Sequence, residues 1–165
     1  MNKPKIILVD NNLIFLHSLI FLINMEKNAE VIGKATNDSE LLELLSHYKP
    51  DLILMDIDLP KINGTKMIRK ALELNPDLKI IALTMFGYDS YIRRLIQTGV
   101  HCFLLKSSII SSVENDIHYL LMDDNYSINN QLIKLINKFV FNESEKRVRN
   151  YCFPNELNHF TFHHK

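Results

Sequence analysis

Asp51-Leu-Ile-Leu-Met-Asp56-Ile-Asp58-Leu-Pro60 is the stretch that decides the fold. The run 51–55 has no polar alternation and lies between Pro50 and Pro60, which reads as a parallel strand buried on both faces. It stops at a carboxylate, Asp56. Three other apolar runs stop in the same abrupt way. Ile6-Ile-Leu-Val9 ends at Asp10, Ile80-Ile-Ala-Leu83 at Thr84, and Cys102-Phe-Leu-Leu105 at Lys106. Ligands of open α/β sheets bind beyond the carboxyl ends of the strands. Four strand ends carrying acid, acid, hydroxyl and cation therefore predict one polar site at one edge of one sheet.

Working outward, strand-like and helix-like segments alternate. Strands are predicted near 5–9, 30–35, 51–55, 79–83 and 101–105, and helices near 13–24, 38–48, 64–74, 88–97 and 109–122. Asn37-Asp38-Ser39-Glu40 and Asp89-Ser90 read as N-terminal caps, and Gly99 as a C-cap candidate. Lys49-Pro50-Asp51 and Asn75-Pro76-Asp77 are turns ahead of strands. Strict β–α alternation with crossover helices gives an α/β architecture with a parallel, doubly wound sheet. Residues 131–140 regain helical spacing, whereas the chain is polar and aperiodic from Asn142 onward.

The totals narrow the function classes. The chain has 165 residues and is 47% apolar, enough for one domain with a sizeable core. Nineteen basic residues balance 19 acidic ones, so no global charge recommends nucleic acid or an anionic membrane. Cys102 and Cys152 have neither metal-ligand spacing nor a disulfide framework, and read as free thiols in a reducing cytosol. His163 and His164 lack further ligands at useful spacing and read as tail. No segment approaches the roughly 18–20 apolar residues that span a bilayer, and a cytoplasmic location is expected.

The strand-end groups suit phosphoryl chemistry. Mg²⁺ takes one or two carboxylates and keeps waters, and Asp10, Asn11 and Asp56 can supply its oxygen ligands. Lys106 can neutralise phosphoryl oxygens, and the Thr84 hydroxyl can donate to one. The Asp56 carboxylate can then attack a phosphorylated donor, with catalysis by positioning and charge neutralisation. Each residue also has a plainer reading. Asp10 can cap the helix from 13, Thr84 can be an ordinary β-branched strand residue, and Lys106 a surface lysine. Asp58 reads as a turn residue rather than a catalytic one. What favours the joint reading is that the four groups end equivalent strands.

Val9-Asp10, Leu54-Met-Asp56-Ile-Asp58-Leu-Pro60, Asn63-Gly64, Ala82-Leu-Thr84 and Leu105-Lys106 together resemble the receiver domain of two-component response regulators. The resemblance covers about residues 4–122 and is strongest to the group with a helix-turn-helix output domain. It implies a five-stranded, flavodoxin-like receiver fold over 1–124 and a linker helix over 125–142, followed by a linker or tail over 143–165. The chain reads either as a stand-alone receiver or as a fragment whose tail begins an output domain not contained here. It makes Asp56 the phosphoacceptor, with Mg²⁺ held by Asp10, Asn11, Asp56 and the backbone carbonyl of Asp58. Thr84 and Phe103 become the switch pair and Lys106 the phosphate-binding lysine.

A sensor histidine kinase is the implied partner. The fourth helix, fifth strand and fifth helix are the candidate surface for a homodimer, with Tyr91, Ile92, Leu95 and Tyr119 as candidate contacts, of which Ile92 and Leu95 read equally well as core. DNA is implied only through the output domain. The chain departs from the family pattern at Asn11, where a second acid is usual, at Met85, where a small residue is usual, and at Ser107, where Pro is common. Loss of one negative charge at Asn11 predicts weaker Mg²⁺ binding and slower phosphorylation.

The reading is of a switch and not an enzyme. Two rivals stand beside it. A phosphorylation-independent receiver-like module is motivated by Asn11 and Met85 but leaves Asp10, Asp56, Thr84 and Lys106 without a use. Asp56-Ile-Asp58 also resembles the nucleophile motif of haloacid-dehalogenase-type phosphatases. That motif normally opens a chain, whereas here a strand ending in Asp10 precedes it.

Overall fold

Alternation of buried runs with capped helices is realised as a single five-stranded sheet. The computed structural model describes residues 3–27, 29–59, 63–85, 97–100, 102–107 and 109–110. The elements are β1 Lys5–Val9, α1 Leu13–Glu26, β2 Glu30–Ala35, α2 Asp38–His47, β3 Leu52–Asp56, α3 Gly64–Leu74, β4 Lys79–Thr84 and β5 Cys102–Leu105. The predicted helices 88–97 and 109–122, the linker helix 125–142, the tail 143–165 and the four proposed dimer contacts lie wholly or almost wholly outside the described residues.

The strands lie in the order β2-β1-β3-β4-β5, and every neighbouring pair is parallel. The order reverses between β1 and β3, the switch point at which such sheets open a crevice. Successive residues of each strand point to opposite faces, and both faces are covered. Ile6, Leu8, Leu52, Leu54, Ile81 and Leu83 pack against Leu16, Leu19 and Ile23 of α1. Ile7, Val9, Ile53, Met55, Ile80 and Ala82 pack against Leu41 of α2 and Met67 and Ile68 of α3. This two-sided burial is why β3 reads as unbroken apolar sequence.

Two boundaries shift from expectation in an informative way. Asp56 and Thr84 belong to their strands instead of following them, because the ladder pairs Asp56 with Leu83 and Thr84 with Leu105. At the other side of the sheet the register between β1 and β2 slips. Ile6 pairs with Val31, but Ile7 pairs with Gly33, so Ile32 is an extra residue in the edge strand. Among the described residues, no helix is long and apolar enough to cross a membrane.

Candidate functional site at the carboxyl ends of the strands

The peptide ladder carries each functional residue to the same edge. Asp10 follows β1, yet its N–H still donates to the Ala35 carbonyl at 3.0 Å, which holds residue 10 in line with the strand. Its Oδ1 accepts the Asn12 N–H at 2.8 Å. Asn12 is the cap of α1, its Oδ1 accepting the Phe15 N–H at 3.1 Å. Of the two readings of Asp10, the capping role therefore falls to Asn12. Asp10 ties the loop through one oxygen and directs the other into the site.

Asp56 is built similarly. Its Oδ1 accepts the Asp58 N–H at 2.9 Å, and its Oδ2 accepts from Lys106 Nζ at 2.7 Å. Lys106 Nζ also lies 2.7 Å from Asp10 Oδ2. The plain surface-lysine reading fails here, since Lys106 is only 7% exposed. Its ammonium stands 5.0 Å from the centroid of the Phe15 ring, within the range of a cation–π attraction. Phe15 drew no notice in the sequence, where it reads as one more core residue of α1.

Thr84 is fully buried at the end of β4. Its hydroxyl donates to Asp58 Oδ2 at 2.8 Å, and the Met85 N–H donates to the same oxygen at 2.6 Å. The Asp58 carboxylate is thus a fixed acceptor and more than a turn residue. No residue-type signal marks this, because one of the two donors is backbone. Met85 keeps its side chain 51% exposed at the mouth. Asn11 is exposed beside Asp10. Phe103 is buried in the layer that holds Met55 and Ala82.

Two carboxylates and one ammonium leave the buried centre one negative charge in excess. Burial raises the Asp10 carboxyl above its ordinary value, assisted by the Asp56 charge and opposed by Lys106 and the Asn12 amide. Burial by itself pulls Lys106 down, but its hydrogen bonds and charge attraction to Asp10 and Asp56 outweigh this, and the ammonium is held above the ordinary lysine value. Asp10 Oδ2 is buried and, among the described residues, is held only by the Lys106 ammonium, which it shares with Asp56. A buried carboxylate oxygen left in that state, in a centre with excess negative charge, suits a cation. Among the described residues, no three His, Cys, Asp or Glu side chains gather into an all-protein metal cluster. A hard ion that keeps its waters requires only one or two carboxylates, and Asp10 and Asp56 meet that requirement.

Comparison with known proteins gives the family and the fold. The profile of the response regulator receiver domain matches residues 6–118. The transcriptional regulatory protein DegU of Brevibacillus brevis is 29% identical over 148 residues, covering 88% of this chain and 62% of DegU. The uncharacterized transcriptional regulatory protein YhcZ of Bacillus subtilis is 32% identical over 104 residues, covering 63% of this chain and 49% of YhcZ. The chain thus spans half to three fifths of these relatives' length. The isolated REC domain of RcsB from Salmonella enterica serovar Typhimurium, solved with the phosphomimetic BeF3−, superposes with a TM-score of 0.61 at 18% identity. That match covers 73% of this chain and 90% of the RcsB domain, and it concerns the fold.

Proposed function

The chain belongs to the response regulator receiver family of two-component signalling, and from that premise we propose that Asp56 is its phosphoacceptor. The observation that carries the proposal is the position of Lys106 Nζ, 2.7 Å from both Asp10 Oδ2 and Asp56 Oδ2 in a buried centre. A phosphoryl donor approaching this edge meets a carboxylate held by the Asp58 N–H and a cation already within reach of the transferred oxygens.

Transfer from a histidine kinase forms a P–O bond to Asp56 and breaks the P–N bond of phosphohistidine. The electron pair leaves with the imidazole nitrogen. Lys106 neutralises charge on the phosphoryl group, and Thr84 donates to it once released from Asp58. Mg²⁺, when bound, would supply further neutralisation of the phosphoryl oxygens. Asp10 and Asp56 would hold it through their carboxylates, with the Asn11 amide and the Asp58 carbonyl as supporting ligands. Asn11 contributes no charge, so affinity below that of an Asn11→Asp variant is expected.

The acyl phosphate adds about two negative charges and biases Thr84 and Phe103 between two arrangements a few kcal/mol apart. The surface built on the segment 88–122 then pairs with a second copy of the chain. Control of transcription belongs to an output domain of the kind the named relatives imply.

The test is intact mass after incubation with a small phosphodonor and Mg²⁺. One phosphoryl adduct in the wild type and none in Asp56→Asn is the expected result. An adduct that survives in Asp56→Asn would move the acceptor elsewhere.

A further inference from the structure

We propose that the Asp58 carboxylate is a resident competitor for the phosphoryl group, occupying the two donors at the end of β4 that a phosphorylated Asp56 has to recruit. The inference rests on Asp56 being the acceptor. Thr84 Oγ1 and Met85 N come from consecutive residues and converge on a single oxygen, Asp58 Oδ2, at 2.8 and 2.6 Å. Two donors on one anionic oxygen make an anion-binding pair, and charge-assisted hydrogen bonds of this kind are the strong ones. In this structure the anion it grips belongs to the chain itself.

The placement relative to Asp56 turns this into competition. The Asp58 N–H donates to Asp56 Oδ1 at 2.9 Å, so acceptor and competitor sit on one short turn. A phosphoryl group on Asp56 presents new oxygens to the same end of β4, which is buried at Thr84. It also sets about two negative charges beside the Asp58 carboxylate, and like charges cannot share one donor pair without cost. Either Asp58 keeps Thr84 and Met85, or the phosphoryl group takes them and Asp58 turns out. Asp58 is accordingly a positioning residue that acts through Thr84 and Met85. It sets how strongly the unphosphorylated arrangement is favoured.

The experiment is a titration with beryllium fluoride in the presence of Mg²⁺, read by the amide resonance of Met85. The proteins are wild type, Asp58→Asn, Asp58→Ala, Thr84→Ala and the Asp58→Ala/Thr84→Ala pair. Every Asp58 variant keeps the backbone carbonyl offered to the metal. Asp58→Ala should bind the mimic roughly tenfold more tightly, and Asp58→Asn, which keeps an oxygen but loses the charge, roughly threefold. The gain should shrink in the Thr84→Ala background, which a general loosening of the turn would not produce. If Asp58→Ala loses its cooperative urea transition, Asp58→Asn decides alone. Equal or weaker binding in a folded Asp58 variant, with wild type responding normally, overturns the competitor. An absence of saturable response in every protein overturns the Asp56 reading and takes this inference with it.

Discussion

The two ends of the sheet carry nearly the same residue types and have opposite character. At the amino ends stand Lys5, Glu30, Asp51 and Lys79, and at the carboxyl ends Asp10, Asp56, Thr84 and Lys106. Asp51 accepts the Lys5 N–H at 2.7 Å in an exposed position, where water competes for every partner. Asp10, Asp56 and Lys106 are buried, and water competes far less for their partners. Charge type therefore does not make the site. Removal from solvent does, because a carboxylate's contact that is worth little at a surface becomes expensive to break inside.

The largest test of that contrast is Lys106→Met, which leaves two buried carboxylates facing one another. It should cost about 3 kcal/mol in urea unfolding near neutral pH with divalent ions chelated. Lys5→Met should stay within about 0.5 kcal/mol. Equal effects at the two ends would break the comparison. The same pair tests linkage. A lysine raised in the folded state binds more protons folded than unfolded as pH rises past about 10.4. Its stabilisation is full below that pH and is lost as pH climbs through the folded value. Lys106→Met should lack this alkaline slope.

Gly64→Ala comes next. A Cβ there would lie 3.0 Å from the Ile57 carbonyl oxygen and 3.1 Å from Ile57 Cα, both backbone atoms of the turn after Asp56. A loss of about 1–2 kcal/mol is expected, together with a weaker response to beryllium fluoride. At Gly33, on the edge strand, the nearest atoms to the added Cβ belong to the Leu44 side chain, starting at 2.8 Å. Side chains can shift, so Gly33→Ala should cost less in thermal denaturation and leave the response unaltered.

Helix caps sharpen the contrast further. Asn12→Ala and Asn37→Ala each remove a side-chain acceptor, from Phe15 N and Glu40 N respectively, at about 1 kcal/mol. Only Asn12→Ala should also weaken Mg²⁺ binding in calorimetry, since its loop carries Asp10. The smallest effect belongs to Asp51→Asn, within about 0.5 kcal/mol of wild type by urea unfolding.

The strand-end logic reached Asp10, Asp56, Thr84 and Lys106 from sequence because burial on both faces leaves a polar residue only where the strand stops. It reached the start of α2 for a similar reason, since Asn37 caps through local spacing, whereas the Asn63 cap of α3 went unread. The Asp58 carboxylate escaped it because its partners lie 26 and 27 residues away and one is a backbone amide. Phe15 escaped because a ring under an ammonium and a ring in a core have the same helical periodicity. The plainer reading of Lys106 failed because exposure is a tertiary property.

The slipped register at β2 has a consequence for solubility. β2 is a terminal strand of the sheet, and an unpaired ladder is a template on which another chain can add. The extra residue Ile32 interrupts that template partway along its length. A bulge also adds local twist, so a straight incoming strand meets a rim whose register is broken. The slip thus acts as a guard against fibrous association, on the flank of the molecule farthest from β5.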